Sequence, residues 1–138
     1  MSSLEHVVVD DAPAPKGAYS HVVRAGDFLF VSGQGPIDPA TQQFVFTDIR
    51  GETRLTLENI ERILAGCGAS HKDIVRCGVF LAHAGDFAAM NEEYALFFGS
   101  TRPARTTVQT GMVVEGMKVE IDCVAYLPAK MRVRDACV

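Results

Sequence analysis

At 138 residues the chain has room for a single domain whose core takes about two thirds of the unfolded surface out of water. Apolar residues make up 48% and charges of both signs are scattered along the length, which excludes a disordered or low-complexity chain. A formal charge of −4 supplies no concentrated basic field, so nucleic acid is not expected as a main partner.

The N-terminal stretch Met1 to Val9 carries Glu5 and His6 ahead of three valines, without the charged start and long apolar run of a secretory signal. No segment is long enough to suggest a membrane span. Cys67, Cys77, Cys123 and Cys137 form no CxxC pair, and His6, His21, His71 and His83 show no helical ligand spacing. A reduced, cytoplasmic protein without a bound metal is the expectation.

Tyr19 to Arg24 and Phe28 to Ser32, rich in β-branched and aromatic residues, flank Ala25-Gly26-Asp27 and read as two strands joined by a tight turn. Gly33 to Thr41 mixes Gly, Pro and Asp and reads as a loop. Between about Asp48 and Cys67, Leu57, Ile60 and Leu64 share a helical face with Ile63 beside them, and Gly66 and Gly68 supply the stop. Asp73 to Leu81 alternates, which places Val75, Cys77, Val79 and Leu81 on one side of a half-buried strand. Asp86 is placed to cap a second helix, whose stripe of Phe87, Met90, Tyr94 and Phe97 reads as core packing up to Gly99.

Ala104 to Thr110 and Met117 to Leu127 read as strands separated by a glycine-flanked loop at 111–116. The last strand has a period of two, with Met117, Val119, Ile121, Cys123, Ala125 and Leu127 on one side and Lys118, Glu120 and Asp122 on the other. The order β-β-α-β-α-β-β predicts one α+β domain spanning 1–138, with two helices packed on one face of a mixed sheet. Its core is expected at about 15–128, followed by a polar tail at 129–138.

If the last two strands form a hairpin, Arg105 falls opposite Asp122 and Thr107 opposite Glu120. Arg105 and Glu120 are then diagonal neighbours about 7–8 Å apart on one face. Such a pair could bind a small anion and orient a water, or be an ordinary charge cluster on a solvated sheet. Ser32-Gly33-Gln34-Gly35 could cradle a ligand with backbone amides, although glycines in a loop more often serve turn geometry. Cys77 and Cys123 occupy core-facing positions that favour packing over nucleophilic chemistry. Tyr19 is equally consistent with core and pocket.

Gly17-Ala18-Tyr19-Ser20, Phe30-Val31-Ser32-Gly33-Gln34, Asn91 through Phe98, Arg102-Pro103-Ala104-Arg105-Thr106-Thr107-Val108 and Val119-Glu120-Ile121 occur in that order. Together, from about Pro15 to Leu127, they resemble the Rid family of reactive intermediate deaminases, formerly described as perchloric-acid-soluble translation inhibitors or endoribonucleases. The resemblance implies a chorismate-mutase-like α+β fold, assembled as a homotrimer with a ligand cleft at each subunit interface. It implies hydrolysis of enamines and imines such as 2-aminoacrylate to 2-oxo acids and ammonia, with no cofactor and a small carboxylate-bearing substrate. The family's carboxylate-binding arginine falls on Arg105 and its water-activating acid on Glu120. Tyr19, Ser32, Gly33, Asn91 and Thr107 match positions lining or supporting the cleft.

Relatives commonly have proline at Ala18, glutamine at His21 and cysteine at Thr107, departures that bear on the substrate rather than the fold. His21 is expected on an exposed strand face, with a titratable group beside the cleft as the alternative. A pathway-specific deaminase and a non-catalytic trimer that senses a small carboxylate are the competing functions. Ribonuclease activity is disfavoured by the acidic charge and the lack of a paired histidine site.

Overall fold

A computed structural model describes residues 4–129 of the chain. Strands β1 (Leu4–Val7), β2 (Val22–Ala25), β3 (Phe28–Gln34), β4 (Ile74–Leu81), β5 (Ala104–Gln109) and β6 (Val119–Tyr126) form one six-stranded sheet in the order β1-β2-β3-β6-β4-β5. Helices α1 (Ile49–Gly66) and α2 (Phe87–Phe98) cover one face. Only β4 and β5 run parallel, joined through α2, so the sheet is mixed. Strand β1 is an addition to the expected order, placed by its ladder to β2, and the polar tail from 130 onward lies outside the described residues.

Both helices form where the periodicity puts them. Asp48 Oδ1 accepts the Gly51 N–H at 2.9 Å at the start of α1. At its end Gly68, at φ +77°, lets Ala69 N–H return to the Leu64 carbonyl at 2.9 Å. Leu57, Ile60, Ile63 and Leu64 are fully buried beneath it, each contributing about 2 kcal/mol of apolar transfer. In α2, Met90 and Tyr94 are buried as expected, but Phe87 is 42% exposed and Phe98 rather than Phe97 completes the inner stripe. Asp86 precedes α2 without making a side-chain cap bond.

Three expectations are corrected by pairing. The ladder between β4 and β6 slips between Ile74 and Arg76, so Val75 is turned out to 42% exposure and Ile74 packs inward in its place. His21, expected on an exposed strand, is completely buried: Nδ1 accepts the Val9 N–H at 2.8 Å and Nε2 meets the Pro13 carbonyl at 2.7 Å. It pins the N-terminal segment to the sheet and does not line either cavity described below.

The third correction is the largest. β5 and β6 do not form a hairpin, because β4 lies between them and pairs with both. Arg105 aligns with Cys77 and then Cys123, and Thr107 aligns with Val79 and then Ile121. Arg105 and Thr107 therefore face the helix layer, whereas Glu120 shares the uncovered face with Phe80 and Val108. The physical reason lies in the inner rows. That of β6 is apolar throughout (Val119, Ile121, Cys123, Ala125) and fits the sheet centre, while that of β5 is polar (Arg105, Thr107, Gln109) and is tolerated only at an edge.

Candidate functional site

The edge position of β5 leaves Arg105 half-buried at the rim of the helix layer. Its guanidinium carbon lies 4.7 Å from the centre of the Tyr94 ring and 5.5 Å from that of Phe87, within cation–π range of both. None of the ion pairs among the described residues involves it. With Asn91, Tyr94, Arg102 and Pro103 it lines a cavity of about 290 Å³. Arg102 is oriented there by its Nε, which donates to the Gly99 carbonyl at 2.9 Å. Two residues past Arg105 on the same face, the Thr107 hydroxyl oxygen is buried with no hydrogen-bond partner.

Burial first, and then the adjacent Cys77, push the Tyr94 phenol far above the ordinary tyrosine range, so the ring stays a neutral bed for the cation. Burial likewise raises the thiols of Cys77 and Cys123, which makes them poor nucleophiles and consistent with packing.

A second group of residues assembles where β3 meets β6. Between Val31, paired with Cys123, and Gln34, paired with Ile121, the two residues Ser32 and Gly33 oppose the single residue Asp122. This bulge bends the strand end around the Glu120 side chain. A Cβ on Gly33 would strike the Glu120 carboxylate, so only glycine allows the close approach. Ser32 Oγ donates to the Ser20 carbonyl at 2.7 Å, and Tyr19 Oη accepts the Lys16 N–H at 3.1 Å, which ties the turn at 16–20 to the strand end. Lys16, Tyr19, Ser32, Gly33, Phe44 and Glu120 line a cavity of about 440 Å³.

Two buried side chains hold its walls. Asn59 Nδ2 donates to the carbonyls of Gly35 at 3.1 Å and Ile37 at 2.8 Å. Glu52, with no exposed surface, accepts Lys118 N–H at 2.9 Å, Thr47 N–H at 3.2 Å and Lys118 Nζ at 3.3 Å. Partial burial, then the neighbouring Asp122, raise the Glu120 carboxyl above its ordinary value of 4.5.

The site residues thus fall into two groups within one chain. Tyr19, Ser32, Gly33 and Glu120 share the larger cavity, whereas Arg105 and Asn91 share the smaller, with Thr107 on the Arg105 side. Arg105 and Glu120 stand on opposite faces of the sheet, so the expected diagonal contact is absent. Lys16, Phe44 and Val113 also line the larger cavity with no periodicity or motif spacing to single them out, and Met117 joins them although its strand alternation read only as core. Phe87 and Tyr94 carried a helical-stripe signal that reads as core, and Tyr94 is both core and cation bed. Among the described residues no cluster of three or more His, Cys, Asp or Glu side chains is placed to hold a metal ion.

Residues 9–127 match the family model described as Endoribonuclease L-PSP. A RutC family protein of Pyrococcus horikoshii is 43% identical over 122 residues, covering 88% of this chain and 97% of its own. The chloroplastic Reactive Intermediate Deaminase A of Arabidopsis thaliana is 36% identical over 123 residues, covering 89% of this chain and 66% of its own. Among solved structures, a protein of Thermotoga maritima described as a putative endoribonuclease superposes with a TM-score of 0.84 at 39% identity, covering 88% of this chain and 96% of its own. The E. coli protein TdcF with bound serine superposes with a TM-score of 0.82 at 34% identity, covering 88% of this chain and 98% of its own. With a family match over most of its length and close superposition on these structures, the chain has the chorismate-mutase-like fold and belongs to the Rid family, the reactive intermediate deaminases.

Proposed function

We infer that this protein hydrolyses reactive 2-imino acids and their enamine tautomers to 2-oxo acids and ammonia, in clefts completed between copies of the chain in a homotrimer. The observation that carries the reading is Arg105: a guanidinium bedded on two rings, in no ion pair among the described residues, lining a cavity. Each cavity holds half of what the reaction needs, and a neighbouring copy supplies the other half. Association has a surface to use. Phe28, Phe30, Val108 and Tyr126 are exposed on the sheet face that no helix covers.

In this reading Arg105 takes the substrate carboxylate through two parallel N–H···O bonds. Protonation of the enamine carbon gives the imine, whose C2 is electrophilic. Glu120 removes a proton from the attacking water, and collapse of the resulting carbinolamine expels ammonia and leaves the 2-oxo acid. The raised Glu120 pKa makes the carboxylate a better base near neutrality. Only water and proton transfers are needed, with no cofactor, and the buried, unbridged thiols of Cys77 and Cys123 suit a cytoplasmic setting.

The test is to generate 2-aminoacrylate with a serine or threonine dehydratase and follow pyruvate. The protein should accelerate its appearance, and Arg105→Ala and Glu120→Gln should remove the acceleration. Equal acceleration by the Arg105→Ala variant would sink the reading. A non-catalytic carboxylate binder is the second reading, favoured by the serine held in the similar TdcF structure. Calorimetric binding of 2-oxo acids without any turnover would select it.

A further inference from the structure

We propose that the substrate carries a second carboxylate, as a dicarboxylic 2-imino acid or its enamine, and that Lys16 in the larger cavity receives it. The proposal rests on the deaminase reading and narrows it to a substrate class.

Lys16 is the sole cation among the described residues lining that cavity. Its backbone N–H is held by Tyr19 Oη at 3.1 Å. Its Nζ donates to the Gln42 carbonyl at 2.9 Å and stands 5.6 Å from the centre of the Phe44 ring. One ammonium N–H is thereby committed and two remain for a ligand. The same cavity has an apolar part to its wall, formed by Ile37, Phe44, Val113 and Met117. A short methylene chain fits such a wall, and a cation at its end selects an anion there.

Charge points the same way. A site completed between two copies brings Arg105 and Arg102 of one cavity together with Lys16 and Glu120 of the other. A monocarboxylate is satisfied by the Arg105 fork alone, which leaves a surplus of positive charge in a chain whose net charge is −4. A dianionic ligand balances it. The two remaining ammonium donors match the two oxygens of one carboxylate.

The experiment compares 2-iminoglutarate with 2-iminobutanoate, each generated in place from the amino acid by a flavin amino-acid oxidase. The readout is the ratio of kcat/KM for diacid over monoacid. The unaltered protein should favour the diacid, and Lys16→Ala should lower the ratio about tenfold, the weight of one charge-assisted hydrogen bond, with Lys16→Glu lowering it further. An unchanged ratio in both variants overturns the proposal and leaves the deaminase reading standing. Loss of turnover on both substrates in the unaltered protein instead overturns the deaminase reading. Calorimetry with 2-oxoglutarate and 2-oxobutanoate then decides the Lys16 question: tighter diacid binding that Lys16→Ala abolishes supports it, and equal binding overturns it. Lys16 is exposed, so both variants should fold, and a thermal melt checks this.

Discussion

The guanidinium of Arg105 lies 4.7 Å from the centre of the Tyr94 ring, with Phe87 on a second side at 5.5 Å. Two aromatic faces hold the planar fork in one orientation without neutralising it, as a bidentate carboxylate clamp requires. Lysine keeps the charge but loses the fork and the stacking. Arg105→Lys is therefore expected to lower kcat/KM for a 2-imino acid about tenfold or more, chiefly through KM, measured by steady-state kinetics on the in situ substrate.

Gly33 gives a test of the opposite half-site. A methyl group there displaces the Glu120 carboxylate, the far end of a flexible side chain, rather than any backbone. Gly33→Ala should change stability by less than about 1 kcal/mol, yet lower kcat by roughly a hundredfold, the usual penalty for misplacing a reacting group by an ångström. A melt and a kinetic run on the same sample separate the two effects.

The raised pKa of Glu120 predicts a pH dependence with a definite sign. Because the folded state disfavours the charged carboxylate, its contribution to stability is greatest below the ordinary value of 4.5 and is lost as pH rises through the raised folded value. Glu120→Gln should thus gain stability at neutral pH, and the gain should vanish in acid, read from denaturant midpoints across pH. Asp122→Asn removes the repelling neighbour and should move the acid limb of the kcat profile to lower pH.

Glu52 is wholly buried and accepts from three donors on the segments that wall the larger cavity. Glu52→Ala leaves the Thr47 and Lys118 N–H groups without that acceptor and should destabilise the fold by about 3 kcal/mol. Urea denaturation measures this directly.

If copies associate through the uncovered sheet face, as proposed, Phe30, 47% exposed, lies against another copy. Phe30→Asp should shift the mass seen by sedimentation from three times 14.9 kDa toward a single chain, with deaminase activity lost in parallel.

Much of the fold was legible before any coordinates. Leu57, Ile60, Ile63 and Leu64 recur at helical spacing, and the alternation of β6 from Val119 to Ala125 matches its buried row position by position. These patterns are local, and burial enforces them. Strand β1 was not legible, because its four residues are exposed or half-exposed and only the ladder to β2 makes them a strand. Nor was the inward turn of Ile74, since a single bulged residue inverts an alternating pattern without altering it.

The sequence by itself determined the apolar faces of α1 and β6, and the ordered motifs from Gly17 to Ile121 carried the family. Only the tertiary structure decided that β4 separates β5 from β6, and with it that Arg105 and Glu120 stand on opposite faces. Neighbours in a sheet are chosen by long-range competition between strand surfaces. The apolar inner row of β6 takes the centre, and the polar inner row of β5, Arg105 included, is left at the edge.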